Sequence, residues 1–584
     1  MAAPDGLYST STRGLQPGSI STSNHTITLR PTMALSVQRT TSAIPALRLL
    51  LDEWDVDQAK LEVSNGTGPD TSLALLKDKD VVVAFRTRPP LADETRMFEG
   101  EVEDPEQPSK QAEFLRGVTV RTFQPVSFVA HVPSVSWKGH TIAHKEFESD
   151  LAFGPETTND DVYKSLIEST EVIEHALNGG AACILAYGQT SSGKTFSISG
   201  LEERLSRDLF SLADSVSKKL IEAHKDTKSA PVFDIEVNFL ELLGKVANDL
   251  AIDPADGNDE EGQPARPRVD IIEDRLGQVR PKLVTTTVTS PDQMNELITR
   301  CLSHRRTQAT TRNDRSSRSH AILTIRIRNR LTPQKEEGQI VMVDLAGSER
   351  HTDAKLHSRE RLDENKDTNK SLMCLKDCVQ ARAKAAYAGF VHIPYRNNKL
   401  TLLLKSMFDL DSRQHTKTIV IAHVSPHIQD AAHSANTLSY AAPFRSVAPK
   451  YTGPAPVNTE DPRTWDHDHS IDYLKRGLRH ELLKLLPASS VPKQLPIDLE
   501  KFLPAPSGGL QLCRVYGPEW VAGILTATEW EGTKRQRLEK AAYAVYVSFT
   551  ERLRVARTQG KADVFKRTAP DHYSALMKGH VEQP

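Results

Sequence analysis

Cysteine is scarce in this chain. The five present, Cys183, Cys301, Cys374, Cys378 and Cys513, follow no regular spacing. Such a set builds no disulfide framework, so a reducing compartment is expected. Cys374 and Cys378 lie one helical turn apart, but no second ligand pair stands nearby to complete a metal site. Long apolar runs are also missing. None approaches the roughly 20 residues that span a bilayer, and the start lacks the apolar stretch of a secretory signal, so a soluble protein without a membrane partner is expected. Excess charge of one sign is absent too, the formal net charge being −2. That argues against a chain-wide nucleic-acid footprint and leaves only local patches. No sustained heptads follow residue 448, so no coiled coil is expected and the oligomeric state stays open.

What is present is enough apolar material, 38% of 584 residues, for a large core and two domains. Residues 1–42 are rich in Ser, Thr, Gly and Pro and poor in acids, the composition of a disordered tail. Residues 43–77 form an extension in which Ile44, Leu47, Leu50, Leu51 and Trp54 suit a short helix. From Val81 to Phe85 the chain is wholly apolar, as in a central strand covered on both faces. Strand-like segments recur at 231–243, 321–328, 339–344 and 418–424. Helical patterns stand at 159–177 and 369–384. Strands alternating with helices predict an α/β fold with a mostly parallel or mixed central sheet flanked by helices. Residues 253–268 read as an acidic, solvated loop.

The stretch Gly188-Gln189-Thr190-Ser191-Ser192-Gly193-Lys194-Thr195 follows the apolar run Ala181–Tyr187. Its spacing, G-x-x-x-x-G-K-[ST], is that of a phosphate-binding loop. Small residues let backbone N–H groups converge on one concavity, and a helix beginning at Lys194 adds its positive end. Lys194 is placed to reach the β- and γ-phosphates, and the Thr195 hydroxyl to take one Mg²⁺ position. Such a loop needs an acid at the end of another buried strand to hold Mg²⁺ through water, and Val341-Met342-Val343-Asp344 supplies it. Gly347, three residues on, lets a backbone N–H approach a γ-phosphate. The run Asn313-Asp314-Arg315-Ser316-Ser317-Arg318-Ser319-His320 precedes a strand, and its hydroxyls suit Mg²⁺ and phosphate oxygens. A polar surface loop is the alternative for this run.

Taken together and in order, these pieces resemble the kinesin superfamily over residues 78–448, implying a P-loop NTPase-type motor. Arg86-Thr87-Arg88-Pro89 looks like the family's adenine-contacting element, Asn313–His320 like its switch I, and Asp344–Glu349 like its switch II. Asn369-Lys370-Ser371-Leu372 resembles the opening of the switch II helix, and His392–Thr401 the microtubule-binding loop and following helix. The resemblance implies ATP and Mg²⁺ as cofactors, with Thr195 and Ser317 near the metal and Asp344 behind water. It implies an Arg318–Glu349 salt bridge that helps position attacking water, with Asn313 and Ser316 lining the site. It also implies tubulin as partner and the cytoplasmic microtubule cytoskeleton as location. Arg396, Lys399 and Lys405, with Lys376, are the expected polymer contacts. One departure is Phe196, where the family usually has His; a ring remains to pack by the adenine.

Leu375-Lys376-Asp377-Cys378 resembles an element of the internal-motor, microtubule-depolymerising class, as does the N-terminal extension. The Lys-Val-Asp tip of that class is missing, its place taken by Val135-Ser136-Trp137-Lys138-Gly139. Residues 449–560 read as a separate helical region, faintly SAM-like, with Leu538, Ala542, Val545, Phe549 and Leu553 marking an amphipathic helix; 561–584 form a tail. Lys534, Arg535, Arg537, Arg552, Arg554 and Arg557 suggest a basic face there, and Asp466-His467-Asp468-His469 is a polar loop before it is a metal site. The leading expectation is a microtubule-stimulated ATPase. A microtubule-binding adaptor with a decayed ATPase and an unrelated P-loop GTPase stay open, although the latter lacks an Asn-Lys-x-Asp guanine-reading motif.

Overall fold

The structure is a computed structural model. It describes residues 43–65, 76–91, 94, 115–122, 125–137, 139–223, 231–253, 268–273, 279, 281–306, 318–331, 336–348, 359–388, 391–408, 414–445 and 459–568. The expected tail at 1–42 and the residues Asn313, Ser316, Ser317 and Glu349 lie outside these.

Twelve strands are described: β1 Val81–Thr87, β2 Val118–Arg121, β3 Ser127–Ser136, β4 Gly139–Glu148, β5 Leu151–Phe153, β6 Ala181–Gly188, β7 Phe233–Leu243, β8 Val246–Asp249, β9 Thr286–Val288, β10 Ser319–Asn329, β11 Gly338–Asp344 and β12 Thr416–Val424. The main sheet runs in the order β5-β1-β12-β6-β11-β10-β7-β8, with β9 beside β7. Its left half, β5, β1, β12, β6 and β11, is parallel. From β10 onward it is antiparallel. The expected mixed sheet is therefore present, split cleanly in two.

Alternation within the strands decides the layers. In β6, Ala182, Ile184 and Ala186 join one core, while Cys183, Leu185 and Tyr187 join the other. The first core is covered by α2 (Lys194–Ala223) and α3 (Pro291–Arg306). Ile198, Leu201, Leu205 and Leu209 of α2 recur at 3–4 spacing and are buried, each contributing about 2 kcal/mol of transfer free energy. The opposite core is covered by α4 (Arg359–Ala388), through Leu372, Leu375, Cys378 and Val379, and by α5 (Ala431–Ala441). The helix expected over 369–384 thus starts ten residues earlier. The pattern expected as one helix at 159–177 is instead Asn159–Tyr163, a π turn at Lys164–Glu168 and Val172–Leu177. Glu171 breaks it, with φ +52°.

The helix α1, Ile44–Asn65, packs Leu47 and Leu51 against Leu115 and Ile428. Trp54 of α1 stacks on His144 at 5.0 Å and meets His131 edge-on at 4.7 Å, fastening the extension to the small β2-β3-β4 sheet. At the tip of the β3–β4 hairpin, where the Lys-Val-Asp element is missing, Trp137 is 90% exposed.

The C-terminal region has its own core of Trp465, Trp520, Phe549 and surrounding Leu residues. It is built from α6 (His467–Leu485), α7 (Gly517–Thr526) and α8 (Gly532–Thr568), with short helical turns between them. Leu538, Ala542, Val545, Phe549 and Leu553 all face that core. Asp466 caps α6 by accepting from the His469 amide, and no cluster of three or more His, Cys, Asp or Glu side chains placed to hold a metal occurs among the described residues. Arg552 and Arg554 of the suggested basic face pair with Glu460 and Glu551.

Candidate functional site: a phosphate cradle at the strand ends

The parallel half of the sheet gathers the carboxyl ends of β1, β12, β6 and β11 at one edge. Register fixes the neighbours there, Arg86 beside His423, His423 beside Gly188, and Asp344 beside Ala186. Such a crevice beyond the strand ends is where open α/β sheets hold ligands. A cleft of about 680 Å³ lies there, lined among others by Arg86, Arg88, Pro89, Thr190–Ser197, Arg305 and His423.

Gly188 turns the chain out of β6 at φ +157°, and a Cβ there would lie 2.2 Å from the His423 carbonyl oxygen. Only glycine fits. Ser191 (φ +60°) and Gly193 (φ +101°) complete the turn, and α2 starts at Lys194. The buried Lys194 ammonium donates to the carbonyls of Gly188 (3.0 Å) and Gln189 (2.8 Å). Thr195 Oγ1 donates to Asp344 Oδ2 at 2.7 Å. Loop and acid, 149 residues apart in sequence, therefore meet.

Asp344 has a second partner that the sequence did not disclose. Arg305, at the last turn of α3, donates from Nη1 to Asp344 Oδ2 at 2.8 Å and from Nη2 to the Ser319 carbonyl at 2.9 Å. Both members of the ion pair are about 95% buried or more. The other carboxylate oxygen, Asp344 Oδ1, is buried without a hydrogen-bond partner among the described residues. An acceptor left free beside a threonine hydroxyl and a phosphate loop fits a hydrated divalent cation. Glu202, two turns along α2, is buried nearby. Burial, with the Asp344 charge adding, pushes its carboxyl up to about 8, so it is neutral at pH 7.

The far side of the cleft joins Pro89, Leu91, Pro155 and Phe196 to the two arginines. Phe196 is 68% exposed, with the Arg86 guanidinium 5.7 Å from its ring centroid. Burial lowers Arg86 to about 10, leaving it charged. Arg88 donates to the Ser191 carbonyl at 2.6 Å and pairs with Glu94.

Beyond Asp344 the chain meets α4 through one buried side chain. His320 Nδ1 accepts from the Ala346 amide (3.0 Å), so its Nε2 carries the hydrogen and donates to Ser371 Oγ (2.8 Å) on α4. Burial, aided by Arg305 and Lys194, holds His320 down at about 3, so this neutral tautomer persists. Thr368 Oγ1 adds a bond to the Arg318 carbonyl at 2.9 Å. Buried Gly347 lies between Ala346 and Ser348, whose amide donates to the Gly188 carbonyl at 3.0 Å.

A family model of the kinesin motor domain matches residues 86–447, more than half of the chain. The chain belongs to the kinesin family. The diatom spindle kinesin-1 of Cylindrotheca fusiformis is 32% identical over 396 residues, 67% of this chain and 54% of that one. The kinesin-like protein klpA of Emericella nidulans is 34% identical over 308 residues, 51% of this chain and 36% of that one. A solved KIF14 dimer with AMP-PNP on a microtubule is 26% identical, with a TM-score of 0.49, over 65% of this chain and 96% of that one. This kinesin thus spans about half or less of the length of these curated relatives.

Lys376, Arg396, Lys399 and Lys405, the expected polymer contacts, each have a partner within the chain. Lys405 is only 8% exposed. Its ammonium donates to Glu273 at 2.8 Å, and Glu273 also takes Arg396 at 2.6 Å. Lys376 lies 4.1 Å over the Tyr440 ring, and Lys399 donates to the Lys245 carbonyl at 2.8 Å. Of these, Arg396 keeps its side chain 59% exposed. The outward stripe of α4 also carries exposed cations, Lys366, Lys370 and Lys384, with Met373 60% exposed among them.

Proposed function

We propose that this chain is an ATP-hydrolysing motor whose turnover is coupled to binding of microtubules. The observation that carries the proposal is the junction at His320. One buried imidazole bonds both the loop after Asp344 and α4, so a change at the phosphate end has a direct mechanical route to the exposed basic stripe.

Phosphoryl transfer to water depends on positioning and charge stabilisation more than on covalent help from the protein. Lys194, which donates to its own loop's carbonyls, would bind the β- and γ-phosphates, and the loop amides from Gly188 to Thr195 would hold the phosphate oxygens. Thr195, Ser317 and, through water, Asp344 are the residues that would hold Mg²⁺, which supplies charge neutralisation when bound with the nucleotide. Arg305 keeps Asp344 aimed. The Arg318–Glu349 pair, with Asn313, Ser316 and the Gly347 amide, is assigned to the γ-phosphate and the attacking water, and Arg86, Arg88, Pro89 and Phe196 to the base. Ordering of these loops by the γ-phosphate is the element that biases α4. An acidic polymer surface complements Lys366, Lys370, Lys384 and the partly exposed Arg396. The division into an N-terminal extension, a motor at 78–448 and a C-terminal helical unit belongs to the same proposal.

Co-sedimentation tests it. Binding to microtubules should be tight with a non-hydrolysable ATP analogue and several-fold weaker with ADP. Binding that ignores the nucleotide would leave only an adaptor. Imaging of stabilised microtubules with ATP then separates gliding from shortening at the ends.

A further inference from the structure

A buried imidazole that the nucleotide chemistry does not use sits directly under the cradle. His423, 1% exposed on β12, has Nδ1 3.1 Å from the Ile421 carbonyl and Nε2 2.7 Å from Ser197 Oγ. A carbonyl only accepts, so Nδ1 carries the hydrogen and Nε2 is an acceptor. Arg86 Nη1 donates to the same Ser197 oxygen at 2.7 Å. The Ser197 hydrogen therefore points to His423, giving a directed chain from Arg86 through Ser197 to His423. Arg86 is held further by Asn159 Oδ1 (2.7 Å) and the Thr157 carbonyl (3.1 Å), and its guanidinium backs the exposed ring of Phe196.

We propose that His423 is a positioning residue for the nucleotide base, setting through Ser197 the place of Arg86 and hence of the Arg86–Phe196 wall against which a purine stacks. This rests on the nucleotide reading above and deepens it. The family's usual ring at position 196 is a histidine; here the wall is a phenylalanine with no polar atom of its own. The polar fixing point comes instead from β12, across the sheet edge. Burial, with the Arg86 and Lys194 charges adding, keeps His423 near 3, so the acceptor at Nε2 persists at neutral pH. The competing role is support of the phosphate loop, because the His423 carbonyl also crowds Gly188. That contact is made by backbone and survives side-chain replacement.

The test separates base from phosphate. Calorimetric titration of the full chain with Mg·ADP and with Mg·tripolyphosphate, which has no base, compares wild type, His423→Ala, Ser197→Ala and His423→Gln. Removing the acceptor or the bridging hydroxyl should weaken Mg·ADP about tenfold and leave tripolyphosphate within about twofold. The Gln variant, whose Oε1 can accept from Ser197, should recover most of the loss. In steady-state hydrolysis KM should rise with kcat little changed. Equal weakening of both ligands would make His423 a support of the phosphate loop and overturn the proposal. A wild type that binds tripolyphosphate but not ADP would overturn it too. A wild type that binds neither would remove the nucleotide reading with it.

Discussion

Replacing Arg305 by Met should be among the most damaging single changes in the sheet. The guanidinium and the Asp344 carboxylate approach to 2.8 Å with almost no solvent. At an effective dielectric of about 20 and a charge separation of about 4 Å, their attraction is about 4 kcal/mol. Desolvation offsets much of that in the intact pair, but a partner left alone keeps its desolvation cost, so breaking a buried pair costs about 3–5 kcal/mol. The bond to the Ser319 carbonyl is lost as well. Arg305→Met should therefore destabilise the sheet by about 4 kcal/mol. Asp344→Asn, which removes the orphaned charge, should restore more than half of this in the double variant. Hydrogen exchange of β10 and β11 amides in a urea series is the suitable assay, because it reports this unit even if the C-terminal helices unfold separately. A cost below about 1 kcal/mol, or strict additivity in the double variant, would refute the reasoning.

Lys194→Ala should lower ATP turnover at least about a hundredfold, measured by phosphate release, while leaving the far-UV circular dichroism unchanged. Glu202→Gln should stabilise the fold in a pH-dependent way. The native carboxyl titrates at about 8, above its unfolded value, so its contribution is intact below about pH 4.5 and lost as pH rises through 8. The gain from Gln should be under about 1 kcal/mol at pH 5 and rise to about 4 kcal/mol at pH 8 in thermal melts; a gain larger at pH 5 would reverse the sign of the argument. Trp520→Ala, at the fully buried centre of the C-terminal core, should cost about 3–5 kcal/mol. It should leave Mg·ADP affinity unchanged in calorimetry.

Much of the fold and the core of the site is legible in local sequence, and particular residues show why. Val81–Phe85, Ala181–Tyr187 and Val341–Asp344 announce buried strands by composition alone. The phosphate loop announces itself because its chemistry needs glycine and lysine at fixed offsets. What escaped was long-range pairing. Arg305 reaches Asp344 across 39 residues, and Ser197 meets His423 across 226; no window of sequence holds both partners. Lys405 looks like a surface cation until Glu273, 132 residues away, folds against it. The early start of α4 leaves no mark in the sequence, because its first turns, from Arg359 to Asp367, are mostly charged and carry no apolar period.

Microtubule-stimulated turnover tests the central claim most directly. The purified chain should hydrolyse ATP slowly by itself and many-fold faster with microtubules, and Ser371→Ala, which cuts the His320 link to α4, should reduce the fold-stimulation. Turnover indifferent to microtubules, or stimulation unaffected by loss of that link, would contradict the coupling drawn from the His320 junction.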